Sequence, residues 1–254
     1  STPIKSSAAS DVYKRQSWAG SIAACMEYPH NRPYTADDLV RIITLLRDPV
    51  NGCPWDKVQT HTSIRMNFLE EAYEAVDALD LDDPVLMCEE LGDVLMQVAF
   101  HTCMEQETGR FTWEQVCDGV CQKLIERHPN IFGTQPGYEG ITDWDALKNK
   151  EKGRRTLADD LESVPRAMPA LMRAAKLQKR AARHGAALQG ADAAALADAA
   201  ENLQTAQPAS AQAEQAVGEL LFAAANLARQ AGVDPEQALQ KANEAFCTAA
   251  GPVA

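Results

Sequence analysis

The chain has 254 residues, 46% of them hydrophobic, and sets 36 acidic against 24 basic side chains for a net charge of −12. That length supports one large domain or two ordinary ones, with a core that needs no disulfide staples. The charge disfavours non-specific binding to DNA, RNA or an anionic membrane, because neutralising phosphates takes an excess of Lys and Arg on one face; a polyanionic ligand would need a metal ion to bridge it.

The seven cysteines, at 25, 53, 88, 103, 117, 121 and 247, are odd in number and include no C-x-x-C pair. Neither a zinc ribbon nor a disulfide framework is expected, and they read as reduced thiols of a cytoplasmic protein. Cys117 and Cys121 stand one helical turn apart without a His at zinc spacing, so packing is their expected role. No run of 18 apolar residues exists, which excludes a transmembrane helix on length. The segment 17–26, SWAGSIAACM, imitates a signal peptide but is short and interrupted by Ser17, Gly20 and Ser21. Residues 1–34 show no consistent period and read as a loosely ordered extension.

From residue 35 onward the dominant period is 3.6, and strand-like alternation is almost absent. The stretch TADDLVRIITLLRD opens with the capping-box pattern of Thr35 and Asp38 and carries Leu39, Ile42, Ile43 and Leu46 on one face. A second helix is expected over about 61–80. A third opens with Asp83 at its cap and Pro84 at its first position and runs to about 107, where Gly109 ends it. A fourth is capped by Thr112 and stopped by Pro129. After a loop at 129–141, helices are expected at 142–154 and about 166–184. An Ala-rich helical series follows, broken at Pro208 and restarted by Asp234 and Pro235. The fold class is all-α.

The chain also resembles itself. GDVLMQVAFHTCMEQ from Gly92 matches GELLFAAANLARQ from Gly218, and QKLIERHP from Gln122 matches QKANEAF from Gln240. One helical module is written twice, the first over 35–155 and the second, shorter, over 156–254. Helix 191–206 then corresponds to helix 61–80.

Residues three and four apart share a helical face, so Glu71 and Glu74 project together, as do Glu90 and Asp93 one helix later. Phe68, Leu69, Ala72, Ala75 and Val76 flank the first pair, and Leu91, Val94, Leu95 and Val98 the second, so part of each acidic stripe must border the core. Uncompensated carboxylates at such an interface repel one another and cost several kcal/mol. A divalent cation removes that cost, and hard oxygen ligands without histidine suit Mg²⁺ or Mn²⁺ better than zinc. Taken singly, each acid reads as a solvated helix face; the paired spacing on adjacent helices favours the metal. A ferritin-like di-iron bundle needs Glu-x-x-His on two helices, and none of Glu70, Glu71, Glu74 and Glu90 has a His three residues on.

The series LLRDPVNGCPWDKVQTHTS, FLEEAYEAVDAL, CEELGDVLMQVAFH, GRFTWEQV and KLIERHPNIFG resembles the MazG family of nucleoside triphosphate pyrophosphohydrolases, strongly over about 36–155 and more faintly in the later half. The resemblance implies an all-helical homodimer that hydrolyses a nucleoside triphosphate to the monophosphate and pyrophosphate with Mg²⁺, for which Mn²⁺ substitutes. It places the metal ligands on Glu71, Glu74, Glu90 and Asp93, with Glu70 beside them as a base or outer acceptor. Lys123 and Arg127 match basic positions facing the phosphates; their bland reading is a cationic stripe near a helix C-terminus. Lys148, Arg154 and Arg155 are weaker candidates of the same kind. Trp55 and Asp56 match a motif near the nucleotide, where an aromatic plane stacks on a base and a carboxylate accepts from its edge; equally, Trp55 reads as a core anchor. His128 reads as a structural helix-end residue.

The second repeat departs from the pattern. Aligning Gly218 with Gly92 puts Ala216 at the place of Glu90 and Glu219 at that of Asp93, while Ala199 stands opposite Glu71 and Asn202 opposite Glu74. Lys241 is retained, but Ala245 stands where Arg127 would be. Such a repeat cannot assemble the metal site, which leaves it a structural or dimerisation module. Two functions remain open: a house-cleaning pyrophosphohydrolase, or a nucleotide-binding regulatory protein of the same fold with weakened catalysis.

Overall fold

The structure, a computed structural model, describes residues 27–128, 131–133, 153 and 156–251. Nine α-helices and no strand occur among them. The signal-like segment 17–26, the expected helix 142–154 with Lys148, and Arg154 and Arg155 lie outside the described residues, as does most of the loop 129–141. The chain divides into two compact units, 1–140 and 141–254.

In the first unit α1 spans Ala36–Leu46, a short 3-10 turn Asp56–Val58, α2 Arg65–Asp80, α3 Pro84–Glu107 and α4 Trp113–Arg127. The caps are the ones the sequence announces. Thr35 and Asp38 form a capping box at α1, Asp83 accepts from the Val85 and Leu86 amides ahead of Pro84 at α3, and Thr112 forms a capping box with Gln115 at α4. Helix α2 begins at Arg65, four residues later than its apolar period suggests. Thr60 and Ser63 form a reciprocal turn, with the Thr60 amide donating to Ser63 Oγ at 2.9 Å and the Ser63 amide to Thr60 Oγ1 at 3.2 Å. Hydroxyls that capture backbone donors in this way compete with helical hydrogen bonding.

Helices α2 and α3 form an antiparallel hairpin through a tight turn in which Asp82 adopts a φ of 53°, a left-handed conformation that Asp tolerates better than most residues. Helix α1 packs on the other side of α3. The core gathers Val40 and Ile43 of α1, Ile64 at the start of α2, Ala99, Phe100, Cys103 and Met104 of α3, and Trp113 of α4. It therefore covers the C-terminal half of α3. The N-terminal half faces α2, where Ala75 and Ala78 are buried and let the two backbones approach. At the covered end, buried Glu105 pairs with Arg110 Nε at 2.6 Å and has His61 Nε2 at 2.5 Å.

The second unit holds α5 Leu157–Glu162, α6 Ala170–Arg183, α7 Ala193–Thr205, α8 Ala211–Gln230 and α9 Pro235–Ala250. Helix α6 starts after Pro169, four residues later than expected. Helix α5 escaped the periodicity because six residues hold less than two turns. It carries the buried Asp160, which faces Arg180 Nη1 at 3.0 Å and His184 Nε2 at 3.2 Å. Helices α7 and α8 pair through the buried alanines Ala199, Ala216, Ala223 and Ala225. None of the described helices is long and apolar enough to cross a membrane. All six described cysteines are free.

Ile43 is 2% exposed in the middle of the first core. Ile43→Ala is expected to cost about 2–5 kcal/mol, read as a lowered denaturant midpoint for the first unit; an unchanged midpoint would contradict this core assignment.

Candidate active site

The Asp83 cap and Pro84 fix where α3 starts, and the tight turn before them sets its register against α2. In that register Glu71 of α2 meets Glu90 and Asp93 of α3. Each of the three offers a carboxylate oxygen, and these oxygens lie within 4.8 Å of one another at half-buried positions. Glu74, one turn along α2, hydrogen-bonds with Glu71 and lies within electrostatic reach of Glu71 and Glu90. Glu70 is exposed beside them and outside the trio.

Protonation records how unfavourable this grouping is. Burial, then the charges of Asp93, Glu74 and Glu90, push the Glu71 carboxyl up to about 7. Burial and the neighbouring acids also raise Glu90 and Asp93. Glu89, exposed on α3, contributes to both of those shifts. Sequence reading passed over it, although the Glu89–Glu90 doublet was the available signal. No ion pair between described residues neutralises the trio. Three close, half-buried oxygens without a counter-charge fit a hard divalent cation, which would take its remaining ligands from water and phosphate.

The other site candidates are placed elsewhere. Trp55 is 44% exposed at the start of the 3-10 turn. Half-buried Asp56 follows, its backbone carbonyl accepting from Arg47 Nη1 at 2.7 Å. Arg47 in turn holds Glu107, which lies 14 residues beyond Asp93; at 1.5 Å per residue that is roughly 21 Å along α3. Within one chain, then, the tryptophan loop attaches to the opposite end of the helix from the acids. Lys123 is exposed and Arg127 half-buried in the C-terminal half of α4. His128 Nδ1 donates to the Leu124 carbonyl at 2.7 Å, a helix-end hydrogen bond.

In the second unit Ala199 and Ala216, the residues that the sequence repeat sets against Glu71 and Glu90, are buried. A cleft of about 640 Å³ lies beside them, lined by Ala199, Gly218, Glu219, Asp198, Gln189 and Phe222 among others. Among the described residues the only three-acid group of metal-binding geometry is the one in the first unit.

The MazG nucleotide pyrophosphohydrolase domain matches residues 59–132, the stretch that carries all these acids. The nucleoside triphosphate pyrophosphohydrolase of Escherichia coli K12 is 41% identical over 219 residues, covering 83% of each chain. The chain belongs to the MazG family of nucleoside triphosphate pyrophosphohydrolases. A second MazG relative, the nucleoside triphosphate pyrophosphohydrolase/pyrophosphatase of Thermotoga maritima, is 39% identical over 212 residues, 83% of this chain and 82% of that one. YabN of Bacillus subtilis is 44% identical over 141 residues, 54% of this chain and 28% of its own length. Both MazG relatives named as pyrophosphohydrolases thus span most of this chain, its second unit included in part.

The raised Glu71 fixes the sign of a pH effect. Its folded value lies above its unfolded value, so its contribution to stability is fully present below pH 4.5 and is lost as pH rises through about 7. The melting temperature of the metal-free protein is expected to fall over that interval, and to fall less in Glu71→Gln. Identical slopes for the two proteins would contradict the placement of Glu71 among the other acids.

Proposed function

We propose that this protein hydrolyses nucleoside triphosphates to nucleoside monophosphate and pyrophosphate, with Mg²⁺ or, in its place, Mn²⁺, and so clears standard or damaged nucleotides from the pool. The observation that carries this reading is the convergence of Glu71, Glu90 and Asp93 oxygens between α2 and α3. With Glu74 they form a ligand set of hard oxygens suited to Mg²⁺. A bound divalent cation supplies charge neutralisation on the phosphate oxygens and lowers the pKa of water beside it.

The chain's own residues do the rest. Glu74, hydrogen-bonded to Glu71 at the edge of the trio, orients the attacking water, and Glu70 accepts its proton. The water oxygen bonds to phosphorus as the anhydride bond to pyrophosphate breaks. Lys123, Arg127 and Lys148 meet the phosphate charge, while Trp55 and Asp56 meet the base, the first by stacking and the second by accepting from its edge.

A homodimer completes the arrangement. Val76 and Leu79 of α2, Leu91 and Leu95 of α3, and Val120 and Leu124 of α4 are all exposed. The second unit exposes Val217 and Leu221 at the positions that match Leu91 and Leu95, so it keeps an apolar face where it has lost its acids. That retention supports a structural or dimerising role for the degenerate repeat. Because the tryptophan loop and the acid trio attach toward different ends of α3, the loop serves the nucleotide held by the partner protomer.

Glu74→Gln is expected to lower pyrophosphate release by at least the roughly 10–100-fold seen when even outer partners of a metal site are removed, and excess chelator to abolish it. Equal release by variant and wild type, or turnover that persists in chelator, would exclude the site. Wild-type protein that binds nucleotide and releases no pyrophosphate would instead favour the regulatory reading. Mixing Trp55→Ala protein, weakened in nucleotide binding, with Glu74→Gln protein, with subunit exchange, is expected to raise turnover at substrate concentrations below the Trp55→Ala KM; no increase would contradict a pocket shared between protomers.

A further inference from the structure

Arg47 ends α1, and its side chain is buried, with only 5% of its surface exposed. All of its guanidinium nitrogens are engaged. Nε and Nη2 donate to the two Glu107 carboxylate oxygens at 2.5 and 2.8 Å, while Nη1 donates to the backbone carbonyls of Asp56 at 2.7 Å and Gln59 at 3.2 Å. The group also lies over the Phe100 ring, 5.3 Å from its centre. Asp56 and Gln59 bracket the 3-10 turn that follows Trp55. Gln59 continues the chain of contacts, its side-chain amide donating to the Trp55 carbonyl at 2.9 Å and its oxygen accepting from Ser63 Oγ at 2.7 Å.

The loop is folded back tightly before the turn as well. The Cys53 amide donates to the Leu46 carbonyl at 2.8 Å, and the Gly52 amide to the Asp48 carbonyl at 2.9 Å. A Cβ on Gly52 would collide with the carbonyl oxygens of Leu46 and Asp48. Yet Trp55 as a residue is 44% exposed, so its own burial does not hold it in place. Its position is inherited from the backbone, and the Arg47 guanidinium is the side chain that ties the turn after it to the distant α3.

We infer that Arg47 is a positioning residue for nucleotide recognition: by binding the carbonyls of Asp56 and Gln59 while anchored on Glu107, it presents the exposed Trp55 ring and the Asp56 carboxylate to the base. The inference rests on the reading of Trp55 and Asp56 as the base-contacting pair. The job needs arginine. A planar fork of five donors reaches a carboxylate and two carbonyls at once, whereas a lysine ammonium is a point charge that cannot hold that geometry. Ordering a loop before the ligand arrives removes that cost from binding, so Arg47 acts on affinity and leaves the phosphate chemistry at the acid trio unchanged.

The test compares Arg47→Lys, Glu107→Gln, Trp55→Ala and the double variant Arg47→Lys/Trp55→Ala. KM and kcat are measured for a nucleoside triphosphate well below each protein's melting transition. Glu107 is 46% exposed at its side chain, so Glu107→Gln loosens the clamp without emptying the core and keeps the test informative if the arginine variants fold poorly. Arg47→Lys is expected to raise KM about ten-fold, the equivalent of losing one charge-assisted hydrogen bond, with kcat near wild type and Glu107→Gln intermediate. In the Trp55→Ala background, Arg47→Lys is expected to add little further change. An unchanged KM in both clamp variants, a KM effect that adds in full to that of Trp55→Ala, or a loss confined to kcat would each overturn the positioning role while leaving the base reading intact. A Trp55→Ala protein with wild-type KM would remove the base reading, and this inference with it.

Discussion

Four carboxylates between two packed helices repel one another, and that repulsion is the constraint from which the rest of the first unit follows. Glu71 is pushed to about 7 because it is partly desolvated and faces Asp93, Glu74 and Glu90. Such a cluster destabilises the fold it sits in unless a positive charge balances it. No described side chain makes that ion pair. Elsewhere the same unit neutralises its buried acid, setting Arg110 against Glu105 on the same helix, with His61 also in contact. The two ends of α3 thus differ: the acid at one end is paired with a cationic side chain, while the acids at the other have no such partner among the described residues.

The division of α3 makes this affordable in structural terms. Its C-terminal half is bound into the core by Phe100, Cys103 and Met104 against Val40, Ile43 and Trp113, and there Arg47 and His61 tie the preceding loop to it. Its N-terminal half packs on α2 and carries Glu90 and Asp93. Strain at the acidic end is therefore borne by a hairpin whose other end is firmly held. The second unit pairs its helices without such acids. Ala199 and Ala216 are buried between α7 and α8, where alanine combines high helix propensity with close packing.

Much of this was readable from the chain. The caps at Thr35, Asp83 and Thr112 are local signals and mark the observed helix starts, and the three- and four-residue spacing of the acids put Glu71, Glu90 and Asp93 on facing surfaces. Features that depend on competition or distance were not readable. The late start of α2 reflects the reciprocal hydroxyl bonds of Thr60 and Ser63, which no hydrophobic period reveals. The short α5 is too brief to show a period at all. The contacts of Arg47 with Glu107 and of His61 with Glu105 span 60 and 44 residues of sequence, and a spacing rule built on one helix cannot find a pair brought together by three. The separation of Trp55 from the acids along α3 is a tertiary fact of the same kind, invisible in a motif that places them 16 residues apart.

The acid cluster as a cation site is tested most directly by crystals grown or soaked with Mn²⁺ and measured at an energy where manganese scatters anomalously. A single strong peak within bonding distance of Glu71, Glu90 and Asp93 oxygens, absent in Glu71→Gln crystals, is the expected result. No peak there at saturating Mn²⁺, or side chains at 71, 90 and 93 pointing to separate surfaces around ordered water alone, would contradict it.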